Sequence, residues 1–242
     1  MPGAGRVRDV SPAIRGTVRA EPYLGSSAAT ERHAEFLQLP SRNLVEVPER
    51  VTDEQAVFAE PLAAAYGITE QVEITDDTKV AVIGDGKLGL LCAFSLAAKA
   101  SDLMLIGKHN EKLAFAGRNG RDIATELSGN TGKLTNHFDV VIEASGSESG
   151  FATALDLVKP RGKIVLKSTF HGTPTWAASR VVVDEITIVG SRCGRFAPAI
   201  ELLSSGAVRV DDLISDEMPL ADGVAAMARA AEKGVLKVLL RP

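Results

Sequence analysis

A glycine-rich loop at residues 84–89, Gly-Asp-Gly-Lys-Leu-Gly, restricts the fold more than any other feature of the sequence. The apolar run TKVAVIG precedes it, which is typical of a parallel strand covered on both faces, and a helix-forming run follows. In that context the G-x-G-x-x-G spacing predicts a turn that binds a dinucleotide. Gly84 permits the tight turn, Gly86 lets the backbone approach a pyrophosphate, and Gly89 lets helix and strand pack closely. A glycine-rich turn without a ligand is the alternative.

Strands and helices alternate along the rest of the chain. The predicted strands are 78–84, 102–107, 138–145, 162–168, 185–191 and 235–242, and the predicted helices are 84–100, 110–118, 147–162, 198–206 and 220–234. This order predicts an α/β fold with a doubly wound parallel sheet, a Rossmann fold. The stretch 121–137 shows no strand pattern, so we predict that the usual third strand is vestigial.

The chain divides into four predicted segments. Residues 1–32 are rich in Arg, Ser, Gly and Pro without periodicity, which predicts a poorly ordered leader, either a transit peptide or a remnant of a longer ancestor. Residues 33–72 are predicted to be a remnant of a β-rich N-terminal catalytic domain with a connecting helix, residues 73–215 the nucleotide-binding domain, and residues 216–242 a helix and strand that return toward the catalytic domain.

Within the second segment, 34–40 and 43–48 are predicted to be short strands, each closed by a proline. Thr52 and Gln55 form a capping-box pattern that predicts the start of a helix. Pro61 predicts a break near Glu60, with a second helix continuing to about Val72.

Composition excludes several classes of protein. A net charge of −4 argues against nucleic-acid binding, and no apolar run is long enough to span a membrane. Cys92 and Cys193 stand far apart, which excludes a disulfide framework or a four-cysteine zinc lobe and fits a reducing compartment. We therefore expect a cytoplasmic protein, with organellar targeting by the leader as the alternative.

The end of the second strand bears on the choice of dinucleotide. A carboxylate there accepts hydrogen bonds from the adenosine ribose and favours NAD, whereas a basic or small residue leaves room for the 2′-phosphate of NADP. Gly107 and Lys108 occupy this place, so the sequence favours NADP over NAD. The alternative is that Lys108 is simply a solvated loop lysine.

The segments VAVIGDGKLGLL, FDVVIEASGSESGF, ALDLVKPRGKIVLKS and GVLKVLLRP resemble the medium-chain dehydrogenase/reductase family, in its zinc-dependent alcohol dehydrogenase-like branch. The resemblance covers about residues 33–242. It implies NADP or NAD bound across the carboxyl ends of the strands, and a homodimer formed through the edge strand 185–191. The residues it implies for the cofactor are Gly84, Asp85, Gly86, Lys87, Leu88, Gly89, Gly107, Lys108, Ser145, Gly146, Ser168, Thr169, Ser191, Arg192 and Lys237.

The same resemblance implies a catalytic zinc held by Cys, His and Glu or Cys ligands, of which the sequence retains only Glu60, in the motif FAEPL. No Cys precedes Cys92, and His33 is the only His before His109. A catalytic zinc needs about three protein ligands, so we do not expect zinc in this chain.

Two functions remain open at this stage. The first is an oxidoreductase that transfers hydride between NAD(P) and a small alcohol or carbonyl substrate, with its catalytic residues unassigned. The second is a catalytically inactive dinucleotide-binding module or fragment that acts through association with partners. A methyltransferase or another nucleotide-binding Rossmann protein would also use the glycine loop, but the later strand motifs argue against it.

Overall fold

The structure is a computed structural model that describes residues 44–119, 123–169 and 177–242. The predicted leader 1–32, the predicted strand 34–40 and His33 lie outside these residues.

Six parallel strands form the main sheet, in the order β3-β2-β1-β4-β5-β6. They are β1 Val80–Ile83, β2 Leu103–Gly107, β3 Ala124–Leu127, β4 Phe138–Glu143, β5 Val158–Leu166 and β6 Thr187–Gly190. This strand order is that of a doubly wound nucleotide-binding fold, in which the order reverses between the first and fourth strands. The predicted fold class is confirmed.

Helices cover both faces of the sheet. They are α1 Asp53–Ala56, α2 Ala59–Tyr66, α3 Ile68–Gln71, α4 Lys87–Leu96, α5 Asn110–Leu113, α6 Glu148–Leu157, α7 Ala178–Val183, α8 Phe196–Ser204 and α9 Gly223–Ala230. Two hydrophobic cores lie on opposite faces of the sheet, and the side chains of β1 alternate between them. Val80 and Val82 pack in the larger core with α2 and α4, and Ala81 and Ile83 pack in the smaller core with α6. Burial of all four explains why β1 is continuously apolar.

The register of the central strands brings their carboxyl ends to one edge of the sheet. Ile83, the last residue of β1, pairs with Ile106 of β2 on one side and with Glu143 of β4 on the other. Leu166 of β5 pairs in turn with Glu143 and with Gly190. The loops that follow these strands therefore lie side by side, and most of the predicted site residues are on them.

Two sequence predictions about strands were wrong. The region 121–137, predicted to lack a strand, contains β3, which pairs with β2 from Met104↔Ala124 to Gly107↔Leu127. This edge strand is only half-buried, so its sequence ATEL carries no apolar pattern. In the described part of the predicted strand 43–48, residues 44–48 form no strand.

The predicted helix after Thr52 is confirmed, with both hydrogen bonds of the capping box to Gln55. The break falls at Val57 and Phe58 rather than at Pro61. Pro61 lies in the first turn of α2, where its missing N–H has no intrahelical partner to lose.

A second parallel sheet, of two strands, is formed by residues of the C-terminal segment. It pairs β7 Asp216–Pro219 with β8 Val238–Arg241, and α9 connects them. The predicted C-terminal segment, expected to be a helix and a strand, thus begins with a strand that its acidic sequence DEMP did not indicate. Arg241 forms ion pairs with Glu217 of β7 and with Glu54 of α1, which fastens this unit to the first helix.

No helix among the described residues has the length and apolar character needed to cross a membrane.

Candidate functional site

The glycine loop has a different steric requirement at each of its three glycines. Gly84 has φ +123°, and a Cβ there would lie 2.6 Å from the carbonyl oxygen of Ala144. A Cβ on Gly89 would lie 1.9 Å from the carbonyl oxygen of Gly84, so only glycine lets α4 pack this closely against the loop. A Cβ on Gly86 would meet nothing within 4 Å, so this position faces open space. A dinucleotide turn needs this combination of tight packing and an open backbone.

Gly86 is also the N-cap residue of α4. The first backbone N–H groups of a helix have no intrahelical partner, and the helix dipole makes this end electropositive. The open space above Gly86 is therefore bordered by backbone donors suited to phosphate oxygens.

Asp85, between the first two glycines, connects the loop to the end of β2. Its Oδ2 accepts hydrogen bonds from the backbone N–H of Lys108 and of His109, both at 2.7 Å, and lies 3.0 Å from Nδ1 of His109. Burial raises the pKa of Asp85, but the hydrogen bonds from His109 and Lys108 outweigh this effect and lower the pKa below its ordinary value. A nearly buried, ionised carboxylate thus lies beneath residues 107–109.

Hydrogen bonds hold together the loops that follow β4 and β5. The backbone N–H of Gly146 donates to Ser168 Oγ at 2.8 Å. Ser145 donates to the buried carboxylate of Glu143 through its backbone N–H, at 2.8 Å, and through its hydroxyl, at 2.6 Å. Glu143, which the sequence analysis did not single out, thereby fixes the turn that carries Ser145 and Gly146.

Lys167, at the end of β5, is a second residue that sequence reasoning missed. Its buried ammonium donates to the carbonyl oxygens of Ala64, at 2.7 Å, and Arg192, at 3.1 Å, and to Ser191 Oγ at 3.3 Å. Burial lowers its pKa, and the nearby thiols of Cys92 and Cys193 and the carboxylate of Glu60 oppose this shift. A lysine that directly follows the apolar run Ile-Val-Leu at residues 164–166 was the available signal.

Two further lysines lie near the glycine loop. Lys237 places its Nζ 5.8 Å from the centre of the Phe58 ring. Burial and the ammonium group of Lys87 lower the pKa of Lys237 to about 8, while Glu60 opposes the shift. Burial also lowers the pKa of Lys87, again opposed by Glu60. Two partly buried lysines thus lie near the loop, and the carboxylate of Glu60 interacts favourably with both of their ammonium groups.

The predicted site residues are therefore mostly brought to one edge of the sheet. Gly84 packs on the backbone of Ala144 and Ser145, Gly146 contacts Ser168, and Lys167 joins the segment after β5 to Ser191 and Arg192. Leu88 packs against the larger core. Among the predicted cofactor residues that carry a side chain, Lys108, Thr169 and Arg192 are exposed to solvent.

The described residues do not fit a catalytic zinc ion. No group of three His, Cys, Asp or Glu side chains within 44–119, 123–169 and 177–242 lies close enough to share a metal. Glu60, the one ligand position that the family resemblance carries over, instead interacts electrostatically with Lys87, Lys167 and Lys237.

Comparisons with known proteins give concordant matches. Residues 88–205 match the family model described as zinc-binding dehydrogenase. The chain is 29% identical over 197 residues to a protein named probable D-xylulose reductase A of Aspergillus clavatus, a match that covers 75% of this chain and 55% of the relative.

Two solved structures share the fold. An Escherichia coli CFT073 alcohol dehydrogenase, titled short-chain and complexed with NADH, superposes with a TM-score of 0.75 at 23% identity, over 84% of this chain and 64% of the other. A Sinorhizobium meliloti 1021 protein described as a zinc-binding dehydrogenase, bound to NADP, gives 0.77 at 24% identity, over 86% and 65%. The chain thus spans less than two thirds of the length of each of these proteins.

Proposed function

Since the chain is related to the zinc-binding dehydrogenases of the medium-chain dehydrogenase/reductase family, in the alcohol dehydrogenase-like branch, we propose that it binds a nicotinamide dinucleotide at the carboxyl edge of its main sheet. The activity that we propose is hydride transfer between this cofactor and a small alcohol or carbonyl compound. D-xylulose, the compound in the name of the matched relative, is a ketose, and its carbonyl group supports that substrate class.

The observation that carries the proposal is the open space at Gly86. A Cβ there meets no atom within 4 Å, whereas its neighbours Gly84 and Gly89 are packed against backbone. The loop is thus tightly packed at its first and third glycines and open at its second, Gly86. Because Gly86 caps a ten-residue helix, this open space leaves room for a pyrophosphate beside the backbone N–H groups of the helix.

In this proposal the residues around the loop bind and orient the cofactor. The backbone N–H groups at the start of α4 donate to the pyrophosphate, and the ammonium groups of Lys87 and Lys237 balance its charge. Gly146, Ser168, Thr169, Ser191 and Arg192 border the nicotinamide half, and the end of β2 borders the adenosine ribose. The nicotinamide supplies the hydride acceptor or donor. Whether the cofactor is NAD or NADP depends on the chemistry around Gly107.

A substitution at Gly86 tests the proposal directly. Gly86→Val puts a branched side chain into the open space, so it is expected to weaken NADH or NADPH binding at least about ten-fold while it costs less than about 1 kcal/mol of stability as an N-cap change. Dissociation constants come from the change in nicotinamide fluorescence, and thermal unfolding checks the fold.

The matched control is Gly117→Val, because Gly117 also has no atom within 4 Å of an added Cβ but belongs to the 3-10 turn Ala116–Asn119 and not to the loop. It is expected to bind cofactor like the unchanged protein. Equal affinity of Gly86→Val and the unchanged protein for the cofactor would refute binding at this loop.

We further propose a homodimer formed through β6, which is an edge strand of the main sheet within the described part of the chain. Val182 and Val183 of the adjacent α7 are 76% and 78% exposed, and a partner subunit would cover them.

The two free cysteines support a reducing, cytoplasmic setting.

The surroundings of Glu60 favour a second candidate function, an inactive dinucleotide-binding module that acts through its partners. Its carboxylate lies among three lysines and not in a set of metal ligands within the described residues. Incubation of the full chain with NAD or NADP and a panel of polyols, with and without added zinc, separates the two. Reduced cofactor above the protein-free rate indicates the enzyme, whereas binding without turnover indicates the module.

A further inference from the structure

Asp85 occupies the space that an acidic residue at the end of β2 would use. The backbone N–H of Gly84 donates to the carbonyl oxygen of Ile106, so the glycine loop lies directly beside the last residue of β2, Gly107. A Cβ built on Gly107 would lie 2.6 Å from the Cβ of Asp85 and 2.7 Å from its Oδ2. The absence of a side chain at Gly107 therefore does not leave an empty space, because a carboxylate from the neighbouring loop fills it.

Neighbouring groups hold this carboxylate in place. The three hydrogen bonds that it accepts from described residues all end on Oδ2, from the backbone N–H of Lys108, the backbone N–H of His109 and the ring of His109. Oδ1 accepts none from the described residues. The side chain is 11% exposed, so its charge is only weakly screened by solvent.

We propose that Asp85 takes the role of the missing β2 acid: its carboxylate accepts hydrogen bonds from the adenosine ribose hydroxyls, and the chain prefers NAD to NADP. This inference rests on the proposed function, since it assumes that a dinucleotide lies along the glycine loop. It reverses the preference for NADP that Gly107 and Lys108 predict from sequence alone.

The physical reason is the place of the negative charge. A glycine at the end of β2 favours NADP only if it leaves room for the 2′-phosphate, and here a second anion occupies that room. Lys108 does not compensate, because its contact with Asp85 is made by the backbone N–H while its side chain is exposed to solvent, where attraction to a phosphate is screened. A carboxylate beside the ribose therefore repels a 2′-phosphate and binds free hydroxyl groups.

The test compares dissociation constants of NADH and NADPH for the full chain and for Asp85→Asn. The amide oxygen of Asn still accepts the backbone hydrogen bonds of residues 108 and 109, while the negative charge is lost. The unchanged protein is expected to bind NADH at least about ten-fold more tightly than NADPH, and Asp85→Asn to shift the ratio toward NADPH by at least about ten-fold. Asp102→Asn is the matched control, because Asp102 precedes β2 at the opposite edge of the sheet and is 53% exposed; its ratio is expected to stay unchanged.

A measurement on the unchanged protein covers the case in which Asp85→Asn does not fold. Adenosine 5′-monophosphate and adenosine 2′,5′-bisphosphate are used to displace NADH, and only the first is expected to compete efficiently. If both cofactors bind but NADPH is preferred, or if the Asp85→Asn ratio equals that of the unchanged protein, this inference fails and dinucleotide binding stands. If neither cofactor binds at millimolar concentration, the proposed function fails, and this inference with it.

Discussion

At the carboxyl edge of the sheet, individual buried charged side chains hold neighbouring segments together. Lys167 is the clearest case, because its ammonium is buried and donates to two carbonyl oxygens and one hydroxyl. These partners belong to α2 and to the segment after β6, which are far apart in sequence. One cation therefore joins two walls of the candidate site, and a hydrogen bond from a charged donor contributes more than a neutral one.

Replacing Lys167 by methionine keeps much of the side-chain volume but leaves the carbonyl oxygens of Ala64 and Arg192 without this donor. We expect Lys167→Met to lower the free energy of unfolding by about 2 kcal/mol, measured by urea denaturation. Lys163→Met on the same strand is the control and is expected to change it by less than about 0.5 kcal/mol, because Lys163 is only partly buried. Equal effects of the two substitutions would show that the hydrogen bonds of Lys167 do not stabilise the fold.

The lowered pKa of Lys237, about 8, predicts how cofactor binding depends on pH. Below this pKa the ammonium is charged and attracts the pyrophosphate, and the bound phosphates raise the pKa. Above it, binding must be accompanied by proton uptake, so the affinity for NADH is expected to fall as pH rises through about 8. Dissociation constants measured across that range test this. Lys237→Met is expected to bind more weakly at neutral pH and to lose most of the pH dependence, and a profile for the unchanged protein that is flat through pH 8 would contradict the role of Lys237.

At the scale of elements, the contact between the glycine loop and α4 positions the site. The carbonyl oxygen of Gly84 faces the Cα of Gly89 so closely that an added Cβ would lie 1.9 Å from it. Both groups are backbone, so neither can rotate away, and a larger residue would force the helix to move relative to β1.

Gly89→Ala is therefore expected to lower the free energy of unfolding by about 1–3 kcal/mol and to weaken cofactor binding as well. Gly86 lies only three residues away, but a Cβ on it meets no atom within 4 Å. Gly86→Ala is therefore expected to change the free energy of unfolding by less than about 1 kcal/mol. Thermal and urea unfolding of the two variants measure the difference. A Gly89→Ala protein as stable as Gly86→Ala would contradict the close packing.

The sequence predicts those elements whose residues are buried in a regular pattern. β1 and the glycine loop are of this kind, since all four residues of β1 are buried and the loop has a fixed spacing. β3 and β7 were missed because partly exposed strands of four residues carry no apolar pattern. Lys167 and the contact between Asp85 and Gly107 were missed because they join residues that are distant in sequence, so no local spacing reports them.

At the scale of the whole molecule, β6 is the last strand of the main sheet, and no other strand of the described residues pairs with its outer side. An edge strand presents free backbone N–H and C=O groups that another chain can pair with. The neighbouring α7 places Val182 and Val183 in solvent, and such exposed apolar side chains are typical of a contact surface.

Replacing both Val182 and Val183 by glutamate tests the proposed homodimer. Both side chains are exposed, so the subunit fold is expected to be unchanged, while four buried charges would oppose association of two copies. Sedimentation velocity is expected to show a dimer for the unchanged chain and a monomer for the double variant. A monomer for the unchanged chain would refute the proposed assembly.

The central claim, that a nicotinamide dinucleotide binds along the glycine loop, is tested most directly by amide hydrogen exchange of the full chain with and without saturating NADH. Bound cofactor is expected to slow exchange in residues 84–90, at the start of α4, and in residues 107–109, after β2, because these segments line the proposed site. Exchange that stays unchanged in both segments at millimolar NADH would contradict the account.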